Sequence, residues 1–301
     1  MTELPKTLPR PFSFSAMMSQ LTGSVPSAPA NFEPPVRTPI TKPLGESTIG
    51  VLVSCGVYHS TQPPFQPLND LSYRLIDRSI PIEELTLGHP AAIRHFALQD
   101  LNVAYPRDRL LELEAEGIFG RLANENVSIL GAISTLSDLL LTTVPQIVDE
   151  FVRQGVDLVL LLPFCPACHT SVSLVARAIE TRGLPTVMTN CNWEAGQAIK
   201  APRVAFLDFP MGCPAGKPND PDLQRAVLRD TLRAASGFSG PWEMLELPYQ
   251  WSSDGSRDWE NEVRGLYVAD AAGFAERRKT LGGRSEQLAG NERDFAIRCA
   301  C

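Results

Sequence analysis

The sequence predicts an α/β protein with a mainly parallel sheet and helices on both faces, Rossmann-like or flavodoxin-like, an arrangement that also admits two related halves. Three observations carry this. Strand-like apolar runs alternate with helix-periodic segments through the middle of the chain, the pattern of βαβ units. One run, VDLVLLLP (156–163), is apolar almost throughout, as a strand covered on both faces must be. At 301 residues, with 44% hydrophobic and 20% charged residues, the chain can bury a core without disulfide staples.

Residues 1–45 are rich in Pro, Ser and Thr without sustained periodicity and read as an N-terminal arm. STIGVLVSCGV (47–57) has β-branched alternation and a glycine stop, a strand entering the loop YHSTQPPFQPLND. RDRLLELEAEG (107–117) is helical and closed by glycine; NVSILGAI (126–133) is strand-like. STLSDLLLTTVPQIVDEFVRQG (134–155) is helical with a kink expected at Pro145. After the buried run come a helix in CHTSVSLVARAIETRG, strands in LPTVMTN and PRVAFLDFP, and a helix in PDLQRAVLRDTLRAASG. This defines an α/β domain over 46–240. From residue 240 the strands are expected to stop. Residues 241–301 read as an appended C-terminal region, docked through Trp242, Tyr249, Trp251 and Trp259 and ending in Cys299-Ala-Cys301.

A net charge of −7 without a basic block argues against nucleic-acid partners and gives no sign of anionic-membrane binding. The longest apolar run, Leu158 to Phe164, is too short to span a bilayer, and no secretory signal follows Lys6 and Arg10. The expected location is cytoplasmic, where thiols stay reduced. Seven cysteines there favour catalysis, metal binding or redox sensing over a disulfide framework.

The motif Cys165-Pro-Ala-Cys168-His169 fits several chemistries. It lies where a strand runs into a helix, and in open α/β sheets ligands collect outside the carboxyl ends of strands. A thiol at a helix N-terminus has its thiolate stabilised by free N–H groups and the helix dipole, so Cys165 is expected to be more acidic than a free cysteine and the most reactive thiol at neutral pH. A helix starting near Pro166 puts Cys168 and His169 on the same side as Cys165, offering a nucleophile, a resolving thiol and a proton carrier. C-x-x-C-H is also the haem-attachment pattern, but the absent export signal and the preceding strand oppose it. Zinc lacks further ligands at the usual spacing, so no metal is assigned. Thiol-disulfide exchange through C-P-x-C remains open, and so does inert burial of both cysteines.

GVDLVLLLPFCPACHTSVSLVARAIETRGLPTV followed by PRVAFLDFPMGCPAGKPNDPDLQRAVLRDTL resembles the selenoprotein subunit of D-proline reductase and, more distantly, component B of glycine, sarcosine and betaine reductases. PPVRTPITK, FQPLNDLSYRLI and DLNVAYPRDRLLELEAEGIFGRLA resemble family segments in the same order, covering residues 34–235. The resemblance implies that Cys165 stands where the family has selenocysteine, as nucleophile, with Cys168 its resolving partner and His169 a neighbour able to move protons. It implies reductive C–N cleavage: a pyruvoyl group on a partner subunit holds the substrate amine as an imine, the chalcogen attacks the adjacent carbon, and a dithiol reduces the adduct away. No cofactor is expected in this chain itself. The implied partners are a small amine or amino-acid-derived substrate, a pyruvoyl-containing subunit and a dithiol reductant protein, within an oligomer. Sulfur at Cys165, and Pro166-Ala167 in place of the family's Gly-Thr, move the motif toward dithiol chemistry. Two alternatives use the same pair: a thiol-disulfide oxidoreductase or thiol peroxide reductase, and a non-catalytic subunit binding an electrophile or metal.

Further substrate-binding candidates lie in loops. His59 follows the first strand. Arg74, beside Asp70, offers a planar fork that matches a carboxylate. Asn102 precedes the helix-capping pair Asp108 and Arg109. Met211 and Gly212 lie in PMGCPAGKPND, where backbone can approach a ligand closely but no nucleotide-binding spacing occurs. Cys55 and Cys191 also follow strands, with burial their simpler role.

Overall fold

The computed structural model describes residues 32–240 and 242–273, together with residues 5, 6, 16, 17, 20 and 276. Six parallel strands form its frame: β1 (Thr48–Val53), β6 (Glu125–Ile129), β7 (Leu158–Leu162), β8 (Thr186–Asn190), β9 (Val204–Phe206) and β10 (Met244–Glu246). In space they run β10-β9-β8-β7-β1-β6, which in order of appearance is 2-1-3-4-5-6. That is the flavodoxin-like order, with its topological switch point between β1 and β7. β3 (Tyr73–Asp77) adds an antiparallel edge beside β6, and the two-residue β5 (Arg121–Leu122) pairs with the start of β1. A small two-stranded antiparallel sheet of β2 (Val57–His59) and β4 (Leu85–Leu87) stands apart.

The central strands are apolar on both faces because both are covered. β1 sends Ile49, Val51 and Val53 into one core and Leu52 into the other; Leu158, Leu160 and Leu162 of β7 alternate with Val159 and Leu161 in the same way. The first core also holds residues of α1 (Arg94–Gln99), α2 (Arg107–Ala115), α6 (Pro221–Ala234) and α7 (Trp259–Ala269). The second holds residues of α3 (136–153), α4 (Pro166–Glu180) and α5 (Trp193–Ile199).

α3 consists of an α turn (Leu136–Asp138), a π-helical stretch (Leu139–Thr143) and an α segment (Val144–Arg153). Pro145, at the start of the last segment, explains the change of winding. It has no N–H for the carbonyl four residues back and its ring crowds that carbonyl, so the expected irregularity takes the form of a π turn just before it.

The expectation that strands stop at residue 240 is corrected. Met244–Glu246 pairs in register with Val204–Phe206 and extends the sheet, although three residues carry too little alternation to announce a strand. Beyond it Trp251 meets Phe96 and Phe209 edge-on, with ring centroids 5.6 and 5.3 Å apart, and Tyr249 Oη donates to Asp230 at 2.6 Å. Trp259, Val263 and Tyr267 of α7 are buried in the first core, and Trp242 packs against the second.

The described parts of the arm are tied to the same body: Glu246 N donates to Pro5 O, and Phe32 N to Ala198 O. Thr38 is held by a buried ion pair, since Glu180 Oε2 accepts its N–H while Arg203, 2.6 Å from Glu180 Oε1, donates to its carbonyl. Among the described residues no helix is long and apolar enough to cross a membrane.

Candidate active site

The carboxyl ends of β1 and β7 diverge at the switch point, and Cys165 follows β7 there as the N-cap of α4. Its backbone is extended (φ −101°, ψ 174°), Pro166 takes the first helical position, where a missing N–H costs nothing, and Cys165 Sγ accepts from Cys168 N–H at 3.3 Å. A thiol therefore does what a serine hydroxyl does at other helix starts. The same turn brings Cys168 Sγ to 3.0 Å from Cys165 Sγ, longer than the ~2.05 Å of a disulfide and close enough to share a proton.

Cys168 is enclosed by three other segments. Ser54, after β1, presents its carbonyl 3.5 Å from Cys168 Sγ, and its hydroxyl accepts from Phe164 N–H at 3.0 Å. Gly131, after β6, lies so close that a Cβ there would sit 2.6 Å from Cys168 Sγ. Its carbonyl also takes a 2.7 Å hydrogen bond from Ser171 Oγ. From the loop between β4 and α1 comes His89, with Nε2 3.4 Å from Cys168 Sγ and its ring 5.0 Å from that of Phe164. Ala91 N–H donates to His89 Nδ1 at 3.1 Å, so the ring proton sits on Nε2 and points at the sulfur.

These contacts decide where the charge of the pair resides. Burial disfavours a thiolate at both sulfurs. Cys165 is left with its acidity weakened by burial and by the S–H bond it gives Cys168. At Cys168 burial is outweighed by that same S–H donor, by the His89 ring and by the Ser54 hydroxyl, which together hold it well below the usual thiol range. The helix terminus alone favours Cys165 as the acidic thiol; the donors assembled by the fold reverse the order. Cys168 is fully buried, whereas Cys165 retains 4% exposure.

His169 turns away from both sulfurs. Its Nδ1 donates to Cys165 O at 2.7 Å and its Nε2 accepts from Cys191 N–H at 3.1 Å. Burial depresses its pKa to about 4, so the neutral ring acts as a strut between the start of α4 and the end of β8. Burial likewise pushes Cys55 up to about 12 and raises Cys191 and Cys213.

The other sequence candidates are engaged elsewhere. His59 bonds Thr61 Oγ1 at 2.8 Å and lies 3.4 Å from Glu84. Asp70 accepts from Gln66 and Ser72 N–H groups. Arg74 spends its fork on the Pro63, Pro64 and Tyr73 carbonyls and stacks on Phe65. Asn102 makes a reciprocal pair with Asp108 at the start of α2. Met211 is buried in the first core, and Gly212, with φ +97°, packs against Ile93. Cys299 and Cys301 lie outside the described residues.

The residue that sequence reasoning missed is His89. Its only local signal is the setting Gly88-His89-Pro90, a loop histidine that the following proline biases toward extended backbone.

Fold and site define the class: a flavodoxin-like α/β protein with a buried dithiol at its topological switch point. The chain is 30% identical over 218 residues, 72% of its length and 90% of the relative's, to D-proline reductase subunit gamma of Acetoanaerobium sticklandii. It therefore belongs to the selenoprotein B-like family to which that subunit belongs. It is also 24% identical over 205 residues, 65% of this chain and 47% of the relative, to the beta subunit of sarcosine reductase complex component B of Peptoclostridium acidaminophilum. No family model and no solved structure matches the chain.

Proposed function

We propose that this chain is the thiol-bearing subunit of a reductase complex that cleaves a C–N bond in a small amine or amino-acid-derived substrate. The observation that carries the reading is the 3.0 Å Cys165–Cys168 pair at the N-terminus of α4. Kinship with subunits of D-proline and sarcosine reductases supports it.

In this reading Cys168 is the resident thiolate, steadied by His89 Nε2–H, and it takes the Cys165 proton as Cys165 attacks carbon. A C–S bond forms, the C–N bond breaks, and its electron pair leaves with nitrogen, which gains a proton. Cys168 then attacks the Cys165 sulfur of the adduct. The C–S bond breaks with its pair going to carbon, which is protonated, and a Cys165–Cys168 disulfide remains. A dithiol protein reduces that disulfide and is itself oxidised. A pyruvoyl-type carbonyl on a partner subunit would supply activation of the substrate amine; this chain supplies the attacking and resolving sulfurs. His169 holds Cys165 in place through its carbonyl.

The sulfur contact also favours a second reading, thiol-disulfide exchange without a carbonyl partner, because that chemistry needs only the pair itself. Isolation of the native complex decides between them. A carbonyl-bearing partner, detected by borohydride labelling, with substrate-dependent turnover lost in Cys165→Ser, is the expected result. Co-isolation of thioredoxin-like proteins alone, with disulfide exchange as the sole activity, would replace the first reading by the second.

A further inference from the structure

We infer that His89, Cys165 and Cys168 form a three-ligand site for a thiophilic divalent cation such as Zn²⁺ or Cd²⁺. His89 Nε2 and the two Sγ atoms all lie within 4.8 Å of one another, with neighbouring separations of 3.0 and 3.4 Å. With metal–sulfur and metal–nitrogen bonds of about 2.3 and 2.0 Å, tetrahedral ligands stand roughly 3.5 to 3.8 Å apart, so changes of about an ångström in the separations are enough. Two thiolates and an imidazole select soft or borderline ions over Mg²⁺ or Ca²⁺. Three protein ligands also leave a fourth position for water or an incoming thiol. The sequence spacing of the motif hides this site because the neighbouring His169 is committed to backbone, and the third ligand arrives from a loop 79 residues before Cys168.

Ligation through Nε2 requires the ring proton to move to Nδ1, at the expense of the Ala91 hydrogen bond. One neutral backbone bond is exchanged for a metal bond within a chelate of two thiolates, an exchange that favours the metal. Occupancy ties up both sulfurs, so metal binding and the thiol chemistry proposed above exclude each other. The site is thus also a metal-sensitive off-switch. This consequence rests on the reductase reading; the binding itself does not.

The test uses the reduced full chain with Cys299→Ser and Cys301→Ser as background, which removes the other closely spaced cysteine pair. Cd²⁺ is titrated without substrate, reading the ultraviolet sulfur-to-cadmium band and the metal retained after desalting. One Cd²⁺ per chain is expected. Cys168→Ser should abolish the band, and His89→Ala should weaken binding at least ~10-fold while circular dichroism stays unchanged. Should either variant fail to fold, alkylation of the unsubstituted chain gives the answer: Cd²⁺ should protect Cys165 and Cys168. A band that persists in Cys168→Ser, equal affinity in His89→Ala, or unprotected thiols would each overturn the site. None of these readouts involves turnover, so their failure leaves the reductase reading standing and is distinct from its failure.

Discussion

The GHPA loop and the CPACH turn each deliver a buried histidine to the switch point, and the two do opposite things. His169 has both ring nitrogens engaged by backbone, Cys165 O on one side and Cys191 N–H on the other. His89 has one nitrogen engaged by Ala91 N–H and the other aimed at Cys168 Sγ. An imidazole saturated by backbone is a structural element; one with a single anchored nitrogen is an oriented donor. Adjacency to Cys165 and Cys168 in sequence thus identified the strut, and the fold supplied the donor.

The largest effect is expected at the sulfurs. Cys165→Ser should lower reductase turnover by at least ~1,000-fold, as removal of a nucleophile does. Cys168→Ser should allow adduct formation but stall its release. Mass spectrometry of the intact chain after one turnover reads both; unchanged multiple turnover in Cys168→Ser would refute the resolving role.

The histidine contrast comes next. Removing the donor in His89→Ala should raise the Cys168 pKa, move the thiolate absorbance titration to higher pH and reduce turnover at neutral pH roughly 10- to 100-fold. His169→Gln should leave that thiolate titration where it is. If the two variants shift it equally, the division of labour between the histidines is wrong.

Packing around Cys168 offers a smaller effect. Gly131→Ala places a methyl group 2.6 Å from Cys168 Sγ and from Ser54 Cβ, and should cost about 1–3 kcal/mol in urea unfolding through overpacking. Displacement of Cys168 should also slow closure of the Cys165–Cys168 disulfide.

The last effect is absent at neutral pH and appears only on acidification. The neutral His169 ring has a folded pKa of about 4 against 6.5 for the free side chain, so between these values the unfolded chain binds more protons. Its contribution is complete above pH 6.5 and is lost as pH falls through 6.5 toward 4, in total about 3 kcal/mol. The urea midpoint should fall over this window, and less steeply in His169→Gln. A parallel decline in both proteins would detach the acid sensitivity from this residue.

Much of the frame was legible in the chain. The apolar run of β7, the cysteine before proline at the start of α4 and the irregularity at Pro145 all have local causes, so neighbouring residues suffice to announce them. The short strands β2, β4 and β10 were not legible, since three residues show no period and their pairing depends on distant partners. Candidate ligands such as Arg74 and Asn102 have the right chemistry for a substrate, but only the folded loops show how their polar atoms are engaged.

The sequence by itself determined the α/β alternation, the strand-to-helix junction and the placement of a thiol on the first turn of α4, because hydrophobic period, proline geometry and helix capping act over a few residues. Only the tertiary structure decided which sulfur carries the charge and which histidine faces it. Those outcomes depend on segments after β1 and β6 and on the β4–α1 loop enclosing one buried sulfur, and in a low-dielectric interior such contacts outweigh the helix terminus that local sequence announces.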